Sequence, residues 1–153
     1  LNLYETVESC ICTCDCLNYI LEEDELLEVF KCINKYLDTN GIFIFDINTE
    51  YKFKNILSSN SFCSVEENAS YIWENYYYDN EKINEYYLNF FIRDKDSNKY
   101  SRYEECHYQK AYSINNILNL LKKANLKILD VYNAFSFDKP KEDSERVIFV
   151  VQN

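Results

Sequence analysis

The sequence predicts an α/β fold, and three segments of its 153 residues support this fold class. Residues 7–47 have the pattern of a strand, a helix and a second strand, which is the βαβ unit of a parallel sheet. Residues 70–112 are rich in Tyr and Phe and contain polar turns, as is typical of antiparallel strands. Residues 113–153 return to a helix and two apolar strands. We therefore expect an α/β domain made of 1–69 and 113–153, with an inserted β-meander at 70–112.

The βαβ unit begins with a predicted strand at residues 7–14 and a predicted helix at 22–37. Apolar side chains recur every three or four residues in the helical segment, so one face of the helix can pack on a sheet. The run "IFIFDI" at 42–47 is expected to be a second buried strand, and a short helix is expected at 49–57. Elements this close together imply a right-handed crossover and a parallel strand pair.

The meander is predicted as three long aromatic strands between residues 70 and 112, joined by the turns "DNEK" and "DKDSN". Ser113 is the expected N-cap of the next helix, because its hydroxyl can accept a hydrogen bond from a free backbone N–H. Predicted strands at 127–137 and 145–153 end the chain and are linked by the loop "DKPKEDS".

Four of the seven cysteines occupy every second position from Cys10 to Cys16. In a strand such residues form a straight row, whereas zinc needs ligands that converge on one point, so no metal site is predicted. The others (Cys32, Cys63 and Cys106) are scattered and the total is odd, which argues against a disulfide framework. We expect a reducing, cytoplasmic compartment, and cysteines that behave as small buried apolar residues. A thiol redox protein is the alternative, and it would require an exposed cysteine of low pKa.

Composition excludes several other classes of function. The net charge of −10 repels a phosphate backbone, so nucleic acid is not an expected partner. No run of 18 apolar residues occurs, so no membrane span is predicted. A small molecule or a protein remains as the expected partner.

The stretch "VESCICTCDCLNYILEEDELLEVFKCINKYLDTNGIFIFDINTEYKF" resembles the second half of a class I, Rossmann-like S-adenosylmethionine-dependent methyltransferase of the bacterial small-molecule type. In that family the fourth strand ends in a D-x-x-N-Y loop, which Asp15, Asn18 and Tyr19 match. A turn that ends in glycine precedes the fifth strand, and Gly41 matches it. The resemblance continues through the meander to the C-terminus.

The resemblance implies a partial methyltransferase sheet whose strands are equivalent to 4-5-7-6 of the family order. The family's glycine-rich cofactor loop has no counterpart, because Gly41 is the single glycine. We therefore expect the first three strands to precede Leu1 in the complete enzyme and the isolated chain to be inactive. The edge of strand four would then be unpaired, which favours self-association through that edge.

The resemblance also implies S-adenosylmethionine as the cofactor, with its remaining contacts at the end of strand four. The expected cofactor-binding residues are Cys14, Asp15, Cys16, Asn18 and Tyr19. Open α/β sheets bind ligands at this carboxyl edge, although Asp and Asn also serve as ordinary turn and cap residues there.

Asp46 and Asn48 end strand five on the same rim and are expected to bind substrate, with helix capping as the alternative.

The meander supplies the remaining candidates. Trp73 and Tyr76 are expected to line an aromatic substrate pocket, although an aromatic sheet needs such residues for packing as well. His107 is the single histidine, and Glu105 shares its strand face, which suits a general base oriented by a carboxylate. Tyr112 is the second catalytic candidate, and packing is again the alternative.

The expected activity is methyl transfer from S-adenosylmethionine to an O, N or S atom of a small molecule, with this chain carrying the substrate side. The alternative is a non-catalytic binding module, in which the tyrosine-rich meander and the acidic surface serve a protein interface.

Overall fold

The computed structural model describes residues 5–95 and 97–153, which contain two four-stranded β-sheets. The first sheet has the order β1-β2-β8-β7, with β1 parallel to β2 and β8 antiparallel to both of its neighbours. This order confirms the predicted 4-5-7-6 arrangement. The strands of this sheet are β1 (Val7–Cys12), β2 (Leu37–Asn48), β7 (Lys127–Asn133) and β8 (Arg146–Gln152).

Two helices, α1 (Glu23–Tyr36) and α2 (Ile114–Lys123), pack on one face of the first sheet. The predicted apolar periodicity is confirmed, because α1 buries Leu26, Phe30 and Ile33 in the core. Phe45 and Phe149 stack across adjacent strands with 4.9 Å between ring centroids. The predicted cap of α2 is also confirmed, since the Ser113 hydroxyl accepts a hydrogen bond of 3.1 Å from a backbone N–H.

The second sheet is an antiparallel meander with one strand more than predicted. Its strands are β3 (Ser61–Val65), β4 (Ala69–Tyr78), β5 (Ile83–Arg93) and β6 (Tyr100–Lys110). The sheet therefore begins at Ser61, before the predicted start at residue 70. β3 is short, and its side chains alternate between partly buried and exposed positions, so its sequence gives a weak strand signal. Its antiparallel pairing with β4 is what forms it. The expected short helix is present as a π-helical segment, Lys52–Leu57.

β1 is shorter than the strand predicted at residues 7–14, and the expectation that its row of cysteines is buried is wrong. β1 ends at Cys12, and Cys14 and Asp15 have left-handed backbone conformations. Among the described residues β1 pairs only with β2, so the other edge is open and Ile11 keeps 66% of its surface exposed. The row of cysteines is therefore interrupted, with Cys14 and Cys16 exposed rather than buried.

The described residues contain no helix that is both long and apolar enough to cross a membrane. They also contain no group of three or more His, Cys, Asp or Glu side chains placed to share a metal ion. Burial raises the pKa of the Cys10 and Cys12 thiols, that of Cys12 to about 11 with a smaller contribution from Cys16. These two cysteines are therefore not the low-pKa thiols that a redox function needs.

Candidate functional site

A cavity of about 420 Å³ lies where the first sheet meets the second. Its walls come from the loop after β1, the end of β2, the π-helical segment, the meander and the start of β8. Parallel strands β1 and β2 both end here, at the edge where open α/β sheets bind ligands. The lining residues are Asp15, Tyr19, Asn48, Lys52, Leu57, Trp73, Tyr86, Leu88, His107, Gln109 and Arg146.

Arg146 joins two carboxylates at this edge. Its guanidinium lies 2.5 Å from Asp15 Oδ1 and 2.5 Å from Asp46 Oδ2, and all three side chains are less than one fifth exposed. Burial by itself lowers the pKa of Arg146, but the hydrogen bonds to Asp46 and Asp15 outweigh burial and raise it. The arginine therefore stays charged and fixes both carboxylates.

The polar network continues from Asp15 into the second sheet. Gln109 Nε2 donates to Asp15 Oδ2 at 2.6 Å, and the Tyr86 hydroxyl donates to Gln109 Oε1 at 2.7 Å. Burial raises the pKa of Tyr86, so its hydroxyl remains a donor. These bonds connect the loop after β1 to strands β5 and β6 and fix the two sheets relative to each other at the cavity.

Asn18 anchors the same loop and is fully buried. Its amide nitrogen donates to the Asn48 carbonyl at 3.1 Å and to the Lys110 carbonyl at 2.8 Å, and its oxygen accepts the Asn48 N–H at 2.9 Å. The Asp15 N–H donates to Asp46 Oδ1 at 2.8 Å, which helps to hold the left-handed residue in place. Asn18 thus holds the loop through protein contacts, and the residues around it face the ligand space.

The structure brings five of the predicted site residues together at one cavity: Asp15, Tyr19, Asn48, Trp73 and His107. The predicted pairing of His107 with Glu105 is confirmed by a 3.0 Å contact between Nε2 and Oε2. The Tyr19 ring meets the His107 ring edge-on at 6.1 Å. Trp73 stacks on Tyr86 with 5.5 Å between centroids, so aromatic surface faces the polar network.

A neighbouring cavity of about 530 Å³ is lined by Cys14, one of the residues predicted to bind the cofactor, and by Asp46, which was predicted to bind substrate. Cys14, Asp46 and Phe135 line it, and Asp15, Lys52 and Arg146 line both cavities. Cys16 lies outside both linings, and its thiol donates to the Thr13 carbonyl at 3.0 Å.

Two residues predicted from the meander are not at the cavity. Tyr76 is 48% exposed and is absent from the lining. Tyr112 is 2% exposed in the hydrophobic core, and its hydroxyl donates to the Ile20 carbonyl at 2.7 Å. Since that hydroxyl is committed to the backbone and the ring to the core, the structure corrects the catalytic interpretation of Tyr112 to a packing role.

Sequence reasoning missed Lys52, Tyr86, Gln109 and Arg146. The position of Arg146 could have been found from the predicted strand order, because antiparallel pairing of the fifth and seventh strands places the start of β8 beside the end of β2. The structure shows this register, with Arg146 opposite Asn48. No comparable sequence signal existed for Gln109, whose 1% exposure depends on how the meander docks.

No protein-family model matches the sequence. The chain is 37% identical over 139 residues to the Geobacillus sp. (strain WCH70) protein named "Putative methyltransferase GWCH70_2453", which covers 91% of the chain and 56% of that relative. The chain thus spans little more than half the length of this curated relative. A crystal structure of an S-adenosylmethionine-dependent methyltransferase from Clostridium acetobutylicum matches 99% of the chain and 60% of its own, at 34% identity and a TM-score of 0.90. The amino pentose methyltransferase CalS10 from Micromonospora echinaspora, solved with S-adenosylmethionine, shares the fold at 10% identity, with a TM-score of 0.73 over 99% of this chain and 60% of its own.

Proposed function

This chain is related in sequence and fold to class I S-adenosylmethionine-dependent methyltransferases, and we propose that it carries the substrate-side half of such an enzyme. In this proposal a methyl group passes from S-adenosylmethionine to an O, N or S atom of a small molecule. The observation that supports it most is the pair of adjoining cavities, which share Asp15, Lys52 and Arg146 as walls. Adjoining cavities would hold the two reactants next to each other, which is the proximity that methyl transfer requires.

The larger cavity, of about 530 Å³, is the proposed cofactor site, and its volume lies in the range of ligand pockets. Its wall combines apolar surface from Phe45 and Phe135 with the carboxylates of Asp15 and Asp46, which can accept hydrogen bonds from hydroxyl or ammonium groups. When bound, S-adenosylmethionine supplies an activated methyl group. The chain's own residues then orient the acceptor and exclude water from the reacting atoms.

His107 is the proposed base. When bound, the cofactor would supply the methyl group as its carbon–sulfur bond breaks, and the proton of the acceptor would pass to His107 Nδ1, because Nε2 faces Glu105. Glu105, whose Oε2 lies 3.0 Å from His107 Nε2, orients the imidazole. Tyr19 packs edge-on against the ring and limits its rotation.

The test uses the full-length natural protein that contains residues 1–153. We expect it to bind S-adenosylmethionine in calorimetry and to release S-adenosylhomocysteine when incubated with a panel of small phenols, amines and thiols. His107→Ala should slow the release with unchanged cofactor affinity. A protein that neither binds the cofactor nor releases the product would overturn the proposal.

A second candidate function is a non-catalytic protein-binding module. Five tyrosines of the second sheet keep 43–57% of their surface exposed, a composition common at interfaces: Tyr76, Tyr78, Tyr100, Tyr103 and Tyr108. Under this candidate, replacing several of them by Ser abolishes partner capture, and no S-adenosylhomocysteine forms. Product formation by the protein excludes the purely non-catalytic version.

A further inference from the structure

We propose that the 420 Å³ cavity takes an acceptor that carries a single carboxylate beside an aromatic ring, and that Lys52 binds the carboxylate. The assignment of this molecule as methyl acceptor rests on the proposed function. The binding site itself rests on Lys52, on the aromatic wall and on the balance of charge around them.

Lys52 is a half-buried cation with hydrogen-bonding capacity to spare. Its Nζ donates to Asn48 Oδ1 at 3.0 Å, and within the described part of the chain it forms no ion pair. Lys54, two residues along the same helical segment, is more exposed and pairs with Asp79 at 3.1 Å. An ammonium group has three hydrogens, so two of those on Lys52 have no acceptor among the described residues.

The half-buried charge of Lys52 has no direct ionic partner among the described residues. Burial lowers its pKa, and the neighbouring Arg146 lowers it further, while Asp15, Glu145 and Asp46 act in the opposite direction. Burying a cation costs free energy unless it gains a charged or strongly polar partner. A ligand carboxylate at Nζ would supply that partner and would replace water lost on binding.

The opposite wall of the cavity is apolar and flat. Trp73 lies between Phe62 at 5.0 Å and Tyr86 at 5.5 Å, measured between ring centroids. Leu57 and Leu88 extend this surface within the cavity. A planar ring can pack against the exposed edge of this aromatic and aliphatic surface, inside the same cavity of about 420 Å³ that Lys52 lines.

The charge balance selects a monoanion over a dianion. Arg146 is already occupied by Asp15 and Asp46, and Glu145 is a further acidic neighbour of Lys52, so these five groups together carry a net charge of −1. The proposed sulfonium cofactor brings one net positive charge, which balances that excess. A single carboxylate then adds one negative charge and a phosphate dianion adds two, so the dianion is repelled more strongly beside Asp15 and Asp46.

Calorimetric titration of the 153-residue chain with phenylacetate, phenylacetamide and phenyl phosphate tests the proposal. We expect phenylacetate to bind about tenfold or more tightly than the neutral amide, because a hydrogen-bonded charge pair contributes that much. Lys52→Gln should remove the preference, and the matched control Lys54→Gln should keep it. Phenylacetate should also change the fluorescence of Trp73, the single tryptophan.

Each contrary outcome has a definite meaning. The carboxylate site would be overturned if phenylacetate and phenylacetamide bind equally well, or if neither shows saturable binding. It would also be overturned if Lys52→Gln keeps the full preference for phenylacetate, or if phenylacetate leaves the fluorescence of Trp73 unchanged. Tighter binding of phenyl phosphate would overturn the choice of a monoanion. Lys52→Arg keeps a cation and should keep the preference, so it separates loss of charge from loss of folding.

The pH dependence offers an independent readout. Protonated Lys52 binds the anion, so the preference for phenylacetate should be present below its lowered pKa and be lost as the pH rises through it. Lys52→Arg should keep the preference to higher pH, because its guanidinium stays charged. If the protein binds phenylacetate but forms no S-adenosylhomocysteine, the proposed function alone is contradicted. If the protein transfers methyl groups but does not prefer phenylacetate to phenylacetamide, this inference alone is contradicted.

Discussion

Replacing Arg146 by Met removes the cation that joins Asp15 to Asp46 and leaves two carboxylates facing each other at the edge of the first sheet. Met fills a similar volume, so the change tests charge rather than packing. The loop after β1 would keep its bonds to Gln109, Asp46, Asn48 and Lys110.

The expected loss follows from the geometry. Arg146 makes two contacts of 2.5 Å, with side-chain exposures of 18% for itself, 19% for Asp15 and 10% for Asp46. Breaking a fully buried pair costs about 3–5 kcal/mol, and the remaining exposure places this case at the lower end, about 3 kcal/mol. Adding Asp46→Asn should restore about 1 kcal/mol or more, because it removes one of the two unpaired charges.

Urea denaturation followed by circular dichroism measures this loss as a change in midpoint at constant slope. Arg93→Met is the control, because Arg93 pairs at 3.4 Å with Glu67, which is 83% exposed. That exposed pair should contribute less than about 1 kcal/mol. A loss below about 1 kcal/mol for Arg146→Met, or no recovery on adding Asp46→Asn, would refute the structural role assigned to the network.

Four further outcomes are expected. If His107 is the base, as proposed, His107→Ala should lower turnover of the proposed methyl transfer by about 100-fold or more, and a loss below about threefold would return His107 to a structural role. Tyr112→Phe should cost about 1 kcal/mol of stability with turnover unchanged, since its hydroxyl bonds only to a backbone carbonyl; a changed rate at intact stability contradicts this. Exposed Cys14 should react with iodoacetamide at pH 8 well before Cys12, because burial raises the pKa of the Cys12 thiol to about 11. Mass spectrometry follows the order of labelling, and the reverse order would contradict the burial of Cys12. Residues 1–153 should self-associate through the open edge of β1, as measured by size-exclusion chromatography. Ile11→Lys, on the exposed face of β1, should shift the protein toward monomer, and a monomeric wild-type chain would rule out association through this edge.

The sequence by itself determined the main elements of the first sheet, and the family resemblance supplied their order. The helical spacing of Leu26, Phe30 and Ile33 and the apolar runs of the strands depend on local periodicity, which the structure reproduces. The pairing of Glu105 with His107 was equally local, because alternate residues of a strand share a face.

Only the tertiary structure decided which polar residues meet. Gln109 and Asp15 are 94 positions apart and Arg146 and Asp15 are 131 apart, so no local pattern in the chain links them. The same holds for Tyr112, whose hydroxyl reaches a carbonyl 92 positions away, and for the exposure of Cys14, which depends on how the loop turns toward Asp46. Periodicity fixes which face of an element is apolar, whereas the partner of a polar side chain is set by how the two sheets dock, and that docking is a property of the whole fold.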